Sequence, residues 1–434
     1  MSTVALATLG CKVNQCESAY LEEKLTQADF LIRPFTGKAD LYCINTCAVT
    51  SRAAMQSRQL VRRALRQNPD AEVVVMGCYA QIAAEEISAI PGVTHLLGTT
   101  EKLSLVDYLA RPEHNQSPCV HINNVRTAPA PQPLVFSGFS HRTRAFLKVQ
   151  DGCDAFCSYC IVPYARGRSR SINLDSVLGQ VARFLDRGYQ EVVLTGIHLG
   201  QWGLDFKPRQ DLIDLLRSIL EHCPPPRLRL SSLEPGEITT ELLDLIAREP
   251  SLCPHLHIPL QSGDPTVLAQ MNRHYHPDFY RDLVLEATQR IPDLAVGADV
   301  LVGFPGETDA CFQNSYRLIE SLPIAYLHVF PYSPRPTTPA ATMSAQVSPS
   351  VIRQRCALLR ELDQAKRLTF LQRFLGEMRQ VLVENRRDEA SSMQCGFTDN
   401  YLPVLVQASA SLENQVVMAK LDKVDGAKLV AIPV

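Results

Sequence analysis

Three cysteines, Cys153, Cys157 and Cys160, fall within eight residues in the stretch Asp151-Gly-Cys-Asp-Ala-Phe-Cys-Ser-Tyr-Cys160. Three thiols on one tight loop cannot all bond to one another. Thiolates this close repel unless a cation neutralises them, and soft sulfur selects zinc, copper or iron-sulfur clusters. Structural zinc usually closes its tetrahedron with paired Cys-x2-Cys units or a nearby His, yet the next histidine, His198, lies nearly forty residues on. Three ligands suit a four-iron four-sulfur cluster with one iron left open. A structural metal knuckle, or plain buried thiols, is the competing reading.

A second set of cysteines is dispersed. Up to about residue 111 the chain alternates strand-like and helix-like segments (4–9, 21–28, 41–45, 51–66, 73–76, 82–90), which predicts a small parallel sheet flanked by helices. Its strand-like runs end on Leu-Gly-Cys11, Asn-Thr-Cys47 and Met-Gly-Cys78. The carboxyl ends of parallel strands line one edge of a sheet, where sites are built. Cys11, Cys47 and Cys78 are therefore expected on one rim, as cluster ligands or as core thiols. Gly10 and Gly77 would let the chain turn sharply there. Cys16, about one helical turn past a strand end, and Cys43, inside a strand, read as small buried hydrophobes.

The loop cysteines follow the first of six strand-like runs, 145–150, 190–196, 226–233, 254–260, 295–303 and 325–331, with helical segments such as 174–184, 212–220, 242–247 and 312–319 between them. Six βα repeats rather than eight predict an open, partial TIM-type barrel, with chemistry at the carboxyl ends of its strands. Thr195-Gly-Ile-His198, Ser231-Ser-Leu-Glu234, Pro259-Leu-Gln-Ser-Gly263 and the run Gly303-Phe-Pro-Gly306 fall at those ends. Gly196 would let the backbone approach a ligand, and Ser232, Glu234, Gln261 and Ser262 offer donors and acceptors for ribose hydroxyls and an ammonium. Each can instead be an ordinary cap or turn residue. His198 reads as a hydrogen-bonded structural residue without a catalytic role. Arg166, Arg168 and Arg170 would project to one side if extended, toward carboxylates of the loop or toward phosphates.

The whole chain has 434 residues, 46% hydrophobic and 20% charged, a soluble globular composition of about three domains that excludes disorder as its main theme. No apolar run reaches eighteen residues and no leader is expected, so the reading is cytosolic, without a membrane. Fourteen cysteines then favour metal ligation over disulfides. A net charge of −2 leaves any nucleic-acid contact to local patches. One such patch is the acid-free segment 51–66 with Arg52, Arg58, Arg62, Arg63 and Arg66; Arg58 and Arg62 share a helical face. That face is either solvated or set against phosphates. Past a helix-like stretch at 348–376 come five short strand-like runs (379–384, 393–398, 401–407, 414–421, 427–432), which suit a small OB-type barrel.

The motif Gly152-Cys-x3-Cys-Ser-Tyr-Cys160 resembles the signature of the radical S-adenosylmethionine (SAM) enzymes. Thr8-Leu-Gly-Cys-Lys-Val-Asn14, Asn45-Thr-Cys-Ala-Val-Thr50 and Gly77-Cys-Tyr-Ala-Gln81 are similar to the amino-terminal domain of the methylthiotransferases. Leu9-Gly-Cys-Lys-Val-Asn14 is closest to the branch acting on threonylcarbamoyladenosine beside the tRNA anticodon, and the tail looks like a TRAM domain. The resemblance implies one [4Fe-4S] cluster with SAM at Cys153, Cys157 and Cys160 and an auxiliary [4Fe-4S] cluster at Cys11, Cys47 and Cys78. It implies SAM contacts from Tyr159, Thr195, Gly196, Ser232, Glu234, Gln261 and Ser262, and it suggests RNA contact at Arg58 and Arg62. The expected partners are the tRNA anticodon region, an electron donor and a sulfur donor. The expected domains are an amino-terminal parallel α/β domain (1–112), a linker (113–142), a partial (β/α)6 radical SAM barrel (143–347), a connecting helix (348–376) and a TRAM-like, OB-like barrel (377–434). Alternative substrates are isopentenyladenosine in tRNA or a ribosomal protein aspartate; the non-enzyme alternative is an RNA-binding module with structural metals.

Overall fold

The computed structural model describes residues 1–110, 118–140 and 142–434. Its first unit is a six-stranded parallel sheet whose centre is formed by Thr3–Thr8, Leu41–Thr46 and Glu72–Gly77 as consecutive neighbours. All six residues of Leu41–Thr46 are buried, as expected of a strand covered on both faces by helices. Three short strands, Leu31–Arg33, His95–Leu97 and Cys119–His121, extend the sheet and carry no periodic signal long enough to read from sequence. The last of them lies inside the stretch 113–142 expected as a linker; its backbone pairs with His95–Leu97 and completes the sheet edge. Residues 111–117 and His141, at the margins of that expected linker, lie outside the described residues.

One helix of this unit starts at a side-chain cap that its sequence supplies. Ser51–Gln67 is capped by the Thr50 hydroxyl, which accepts from the Ala53 amide at 3.1 Å. Ala54, Ser57, Val61 and Ala64 form its buried stripe, leaving Arg52, Arg62, Arg63 and Arg66 exposed. Lys12–Gln27, with Cys11 at its N-cap position, begins nine residues before the expected helical stretch.

The second unit contains all six expected parallel strands: Arg144–Lys148, Glu191–Thr195 and Arg227–Leu230 in one sheet, and His255–His257, Ala295–Val302 and Tyr326–Pro331 in another. The barrel is open, so it has two edges that must be covered. Helix Lys12–Gln27 packs on one edge strand, Arg144–Lys148, and the Cys16 thiol donates to the Phe146 carbonyl at 3.2 Å. The long helix Pro349–Gln372 packs on the other, Tyr326–Pro331, where the Leu327 amide donates to Asp363 at 2.6 Å.

The tail closes into a five-stranded barrel in the order Met378–Arg387, Gln394–Thr398, Pro403–Val406, Lys428–Pro433, Val416–Asp425. It docks on the second unit through Arg227, whose guanidinium donates to the carbonyls of Gln380 and Phe397 at 2.6 and 3.1 Å, and through Arg144, which pairs with Glu384 at 3.0 Å. No helix among the described residues is long and apolar enough to cross a membrane.

Candidate functional site

The sheet brings Cys11, Cys47 and Cys78 to one rim. Each directly follows or lies close behind a strand, and the three strands are neighbours. Gly10 and Gly77 sit at φ +97° and +94°, a left-handed conformation that side chains resist. A Cβ on Gly10 would lie 2.8 Å from Cys47 Cβ and 2.9 Å from Cys47 Sγ, so the glycine is what admits that sulfur. Burial and the neighbouring Cys78 push the Cys47 thiol up to about 11, and burial also raises Cys78. Cys16 and Cys43 are fully buried, and burial pushes both thiols far above the usual range. Both behave as packing residues.

The Cys153–Cys160 loop is shaped by its backbone. Gly152, at φ +77°, passes so close to Arg168 that a Cβ would meet its carbonyl oxygen at 1.8 Å. The Cys153 amide donates to Gly167 O at 3.0 Å, and from across the barrel Met271 O accepts from the Ser158 amide at 3.0 Å. Arg273 is the cation of this loop: it reaches Cys157 Sγ at 3.7 Å and grips Glu234 with both terminal nitrogens. Burial raises the Cys157 thiol against the pull of Arg273, and burial with Cys157 beside it raises Cys160 to about 12.

Each trio offers three free thiols, an all-sulfur donor set of the kind that holds iron-sulfur clusters.

Beside Cys11 lies a central cavity of about 550 Å³. Its walls include Gly10, Cys11 and Lys12 of the first unit, Thr195, Gly196, Ser232, Asp299 and His328 at the strand ends of the second, and Tyr401 of the tail barrel. A neighbouring cavity of about 570 Å³ takes in Cys157, His198, Glu234, Arg273 and Tyr275. The short segment from Gly196 to His198 contributes to both. The structure therefore gathers Thr195, Gly196 and Ser232 at the central cavity and Glu234 at the adjoining one. Tyr159, Gln261 and Ser262 line neither. Tyr159 packs beside Phe304 and Met271, and Ser262 is 2% exposed, bonded to Ser315 at 3.3 Å.

The arginines divide. Arg58 is held by Glu86 at 2.6 Å and also donates to the Tyr79 hydroxyl, whereas Arg62 is exposed. Arg166 is buried against carboxylates: it reaches Glu17 at 3.1 Å and Asp151 at 2.9 Å. Lys102 and Lys148 join Glu17 at 2.6 and 2.8 Å, giving three buried cations to two buried carboxylates directly behind the rim cysteines. Burial alone would raise the Glu17 carboxyl; Arg166, Lys102 and Lys148 outweigh it and hold it well below the usual range. Arg170 donates to the carbonyls of Pro129 and Arg166, and Arg168 is exposed.

Sequence reasoning missed the inward-facing polar residues of the barrel. Arg227 and Arg229, and His255 and His257, alternate with leucines on strands buried on both faces. Period two puts each pair on one face, and charge on a buried inner face is the signal of a site. His198, expected as a hydrogen-bonded residue, has its Nδ1 3.4 Å from Cys153 Sγ and its Nε2 2.6 Å from Glu237. Burial opposes its charge, but those two partners push it up to about 10.

Known proteins bear on this geometry. The family described as "Radical SAM superfamily" matches residues 147–319, and "Uncharacterized protein family UPF0004" matches residues 3–98. Over 427 residues, 98% of this chain and 94% of the relative, the sequence is 39% identical to "Threonylcarbamoyladenosine tRNA methylthiotransferase MtaB" of Bacillus subtilis (strain 168). It is 29% identical, over 98% of each chain, to "tRNA-2-methylthio-N(6)-dimethylallyladenosine synthase" of Fusobacterium nucleatum subsp. nucleatum. In fold it is similar to the radical S-adenosylmethionine methyltransferase TsrM from Kitasatospora setae, with a TM-score of 0.55, 17% identity, and coverage of 79% of this chain and 77% of that one. A near-complete match at 39% identity, with both cysteine motifs in place, means that this chain belongs to the radical SAM methylthiotransferase family.

Proposed function

We propose that the chain adds a methylthio group to C2 of N6-threonylcarbamoyladenosine at position 37 of tRNA. The observation that carries this reading is the central cavity, where Cys11 and Gly196 face a common space while Cys157 borders the adjoining one. Cys153, Cys157 and Cys160 would hold one [4Fe-4S] cluster, and Cys11, Cys47 and Cys78 a second. Together with SAM, the first would supply a radical, which an aromatic C–H requires because it has no acidity that a side-chain base could use near neutral pH. This chain's own residues set the stage: Gly10 makes room at the rim, Arg273 and His198 brace the loop sulfurs, and Thr195, Gly196 and Ser232 shape the chamber.

The relative named for threonylcarbamoyladenosine is 39% identical and the one named for the dimethylallyl nucleoside 29%, which supports the former substrate. To exposed Arg62 and the tail barrel we assign contact with the anticodon region. All fourteen cysteines are free, which supports work in a reducing cytoplasm, with an electron donor and a sulfur donor as further partners.

Anaerobic reconstitution tests the whole reading. Iron and sulfide at about eight per chain are expected from two such clusters. Incubation with SAM, reductant and tRNA should yield the methylthio nucleoside on digestion, and ribosomal protein offered in parallel should gain no mass. Zinc at one or two per chain, without iron, would instead mean a binding module with structural metals.

A further inference from the structure

Cationic side chains outnumber carboxylates in the wall of the central cavity. Lys12, Arg144 and Arg229 line it against one carboxylate, Asp299. That carboxylate is already engaged, by His257 Nε2 at 2.8 Å and His328 Nδ1 at 3.1 Å. Arg144 is paired with Glu384 at 3.0 Å. Arg229 gives Nε and Nη2 to Glu191 at 2.7 and 3.1 Å, which leaves its Nη1 without a partner. Lys12, exposed to solvent at the cavity wall, has neither an ion pair nor a hydrogen bond among the described residues.

Two more polar atoms in the same wall are orphaned. Ser231 Oγ and His255 Nδ1 have no hydrogen-bond partner, and Arg229, Ser231 and His255 are 2%, 7% and 5% exposed. Buried polar groups are satisfied by protein, water or ligand, and three orphans around one chamber call for an oxygen-rich occupant. An apolar substituent would leave them uncompensated.

We infer that Lys12 and Arg229 select the substrate by binding a carboxylate on the N6 substituent of the target adenine. This rests on the tRNA reading above and deepens it: the threonyl carboxylate separates threonylcarbamoyladenosine from the prenylated nucleoside, which has none. Specificity of this kind comes from buried polar groups that the wrong substrate leaves unpaired. SAM also has a carboxylate, so the test must tell the two apart.

The reconstituted holoenzyme is titrated with three anticodon stem-loops, carrying threonylcarbamoyladenosine, its methyl ester, or isopentenyladenosine. The wild type should bind the free carboxylate about tenfold more tightly than the ester, the scale of one charge-assisted contact. Lys12→Met should remove most of that difference, and Lys12→Arg should restore it. Equal wild-type affinity for acid and ester overturns the inference, as does a Lys12→Met variant that keeps the full difference. If Lys12→Met instead raises the KM for SAM alike with every stem-loop, the cations serve the methionine carboxylate and the inference falls. Should Lys12→Met lose its iron, Arg229→Lys, which keeps a charge against Glu191, must narrow the acid-to-ester difference. Failure of the methylthiolation reading shows separately, as absent product from wild-type enzyme, and the binding difference can be measured without turnover.

Discussion

The two cysteine trios are brought together by opposite routes. Cys153, Cys157 and Cys160 are neighbours in the chain, and one loop with a left-handed glycine at Gly152 presents them. Cys11, Cys47 and Cys78 are neighbours only because three parallel strands lie side by side. The loop trio depends on local backbone shape and is braced by single side chains, Arg273 and His198. The rim trio depends on a whole sheet, backed by a buried ionic network that ties it to the barrel. A local trio should therefore fail by itself, while the dispersed one should be sensitive to substitutions that touch no cysteine.

The largest effect is expected from Cys157→Ala. It should abolish deoxyadenosine formation from SAM while the rim centre still assembles, so iron falls by about half rather than to zero. Normal deoxyadenosine yield would reverse the assignment of the two trios. Cys47→Ala should do the converse, keeping SAM cleavage and losing methylthio product.

The dispersed trio is next tested from behind. Glu17→Gln leaves Lys102, Lys148 and Arg166 with one buried carboxylate between them. Breaking a buried pair costs about 3–5 kcal/mol, and denaturant unfolding should show it, with rim iron lost before loop iron. The pH dependence has a definite sign. The folded Glu17 carboxyl lies below its unfolded value of about 4.3. Its contribution is thus fully present above that pH and is lost as pH falls through the folded value. The wild type should lose stability steeply in acid, and Glu17→Gln less steeply; parallel acid profiles would remove Glu17 from this role.

Smaller effects sharpen the picture. Cys43→Ala should cost on the order of 1–2 kcal/mol in packing and leave both iron centres intact. Loss of rim iron there would show that Cys43, not Cys47, is the ligand. On the arginine face, Arg62→Ala should lower the salt slope of tRNA affinity by roughly 0.7–0.9. Arg58→Ala should change it less, because Glu86 already holds that guanidinium. Equal slopes for all three proteins would make the face a solvated one.

Much of the site was legible because spacing and periodicity are local properties. The loop trio could be read from eight residues, and the rim trio from a repeated strand ending. Individual side-chain roles were less legible. Glu234 offers the right atoms for a ligand, yet Arg273, 39 residues later, occupies both oxygens. Ser262 is drawn to Ser315, 53 residues away, and Arg58 to Glu86, 28 residues away. A partner's choice among several donors is a tertiary fact. The same holds for Cys119–His121, whose three residues are a strand only because an edge was available to pair with.

By itself the sequence determined the order of elements, the six barrel strands, the five-stranded tail and the two sets of thiols, since apolar periodicity and strand-end residues dictate these locally. Tertiary structure alone decided that Lys12, Arg229 and Tyr401, from three separate units, face one chamber, and that Arg166 meets carboxylates rather than phosphates. The physical reason is range. Hydrophobic pattern and turn chemistry act over a few residues, whereas charge pairing and cavity lining depend on which distant segments the packed core brings within a few ångströms.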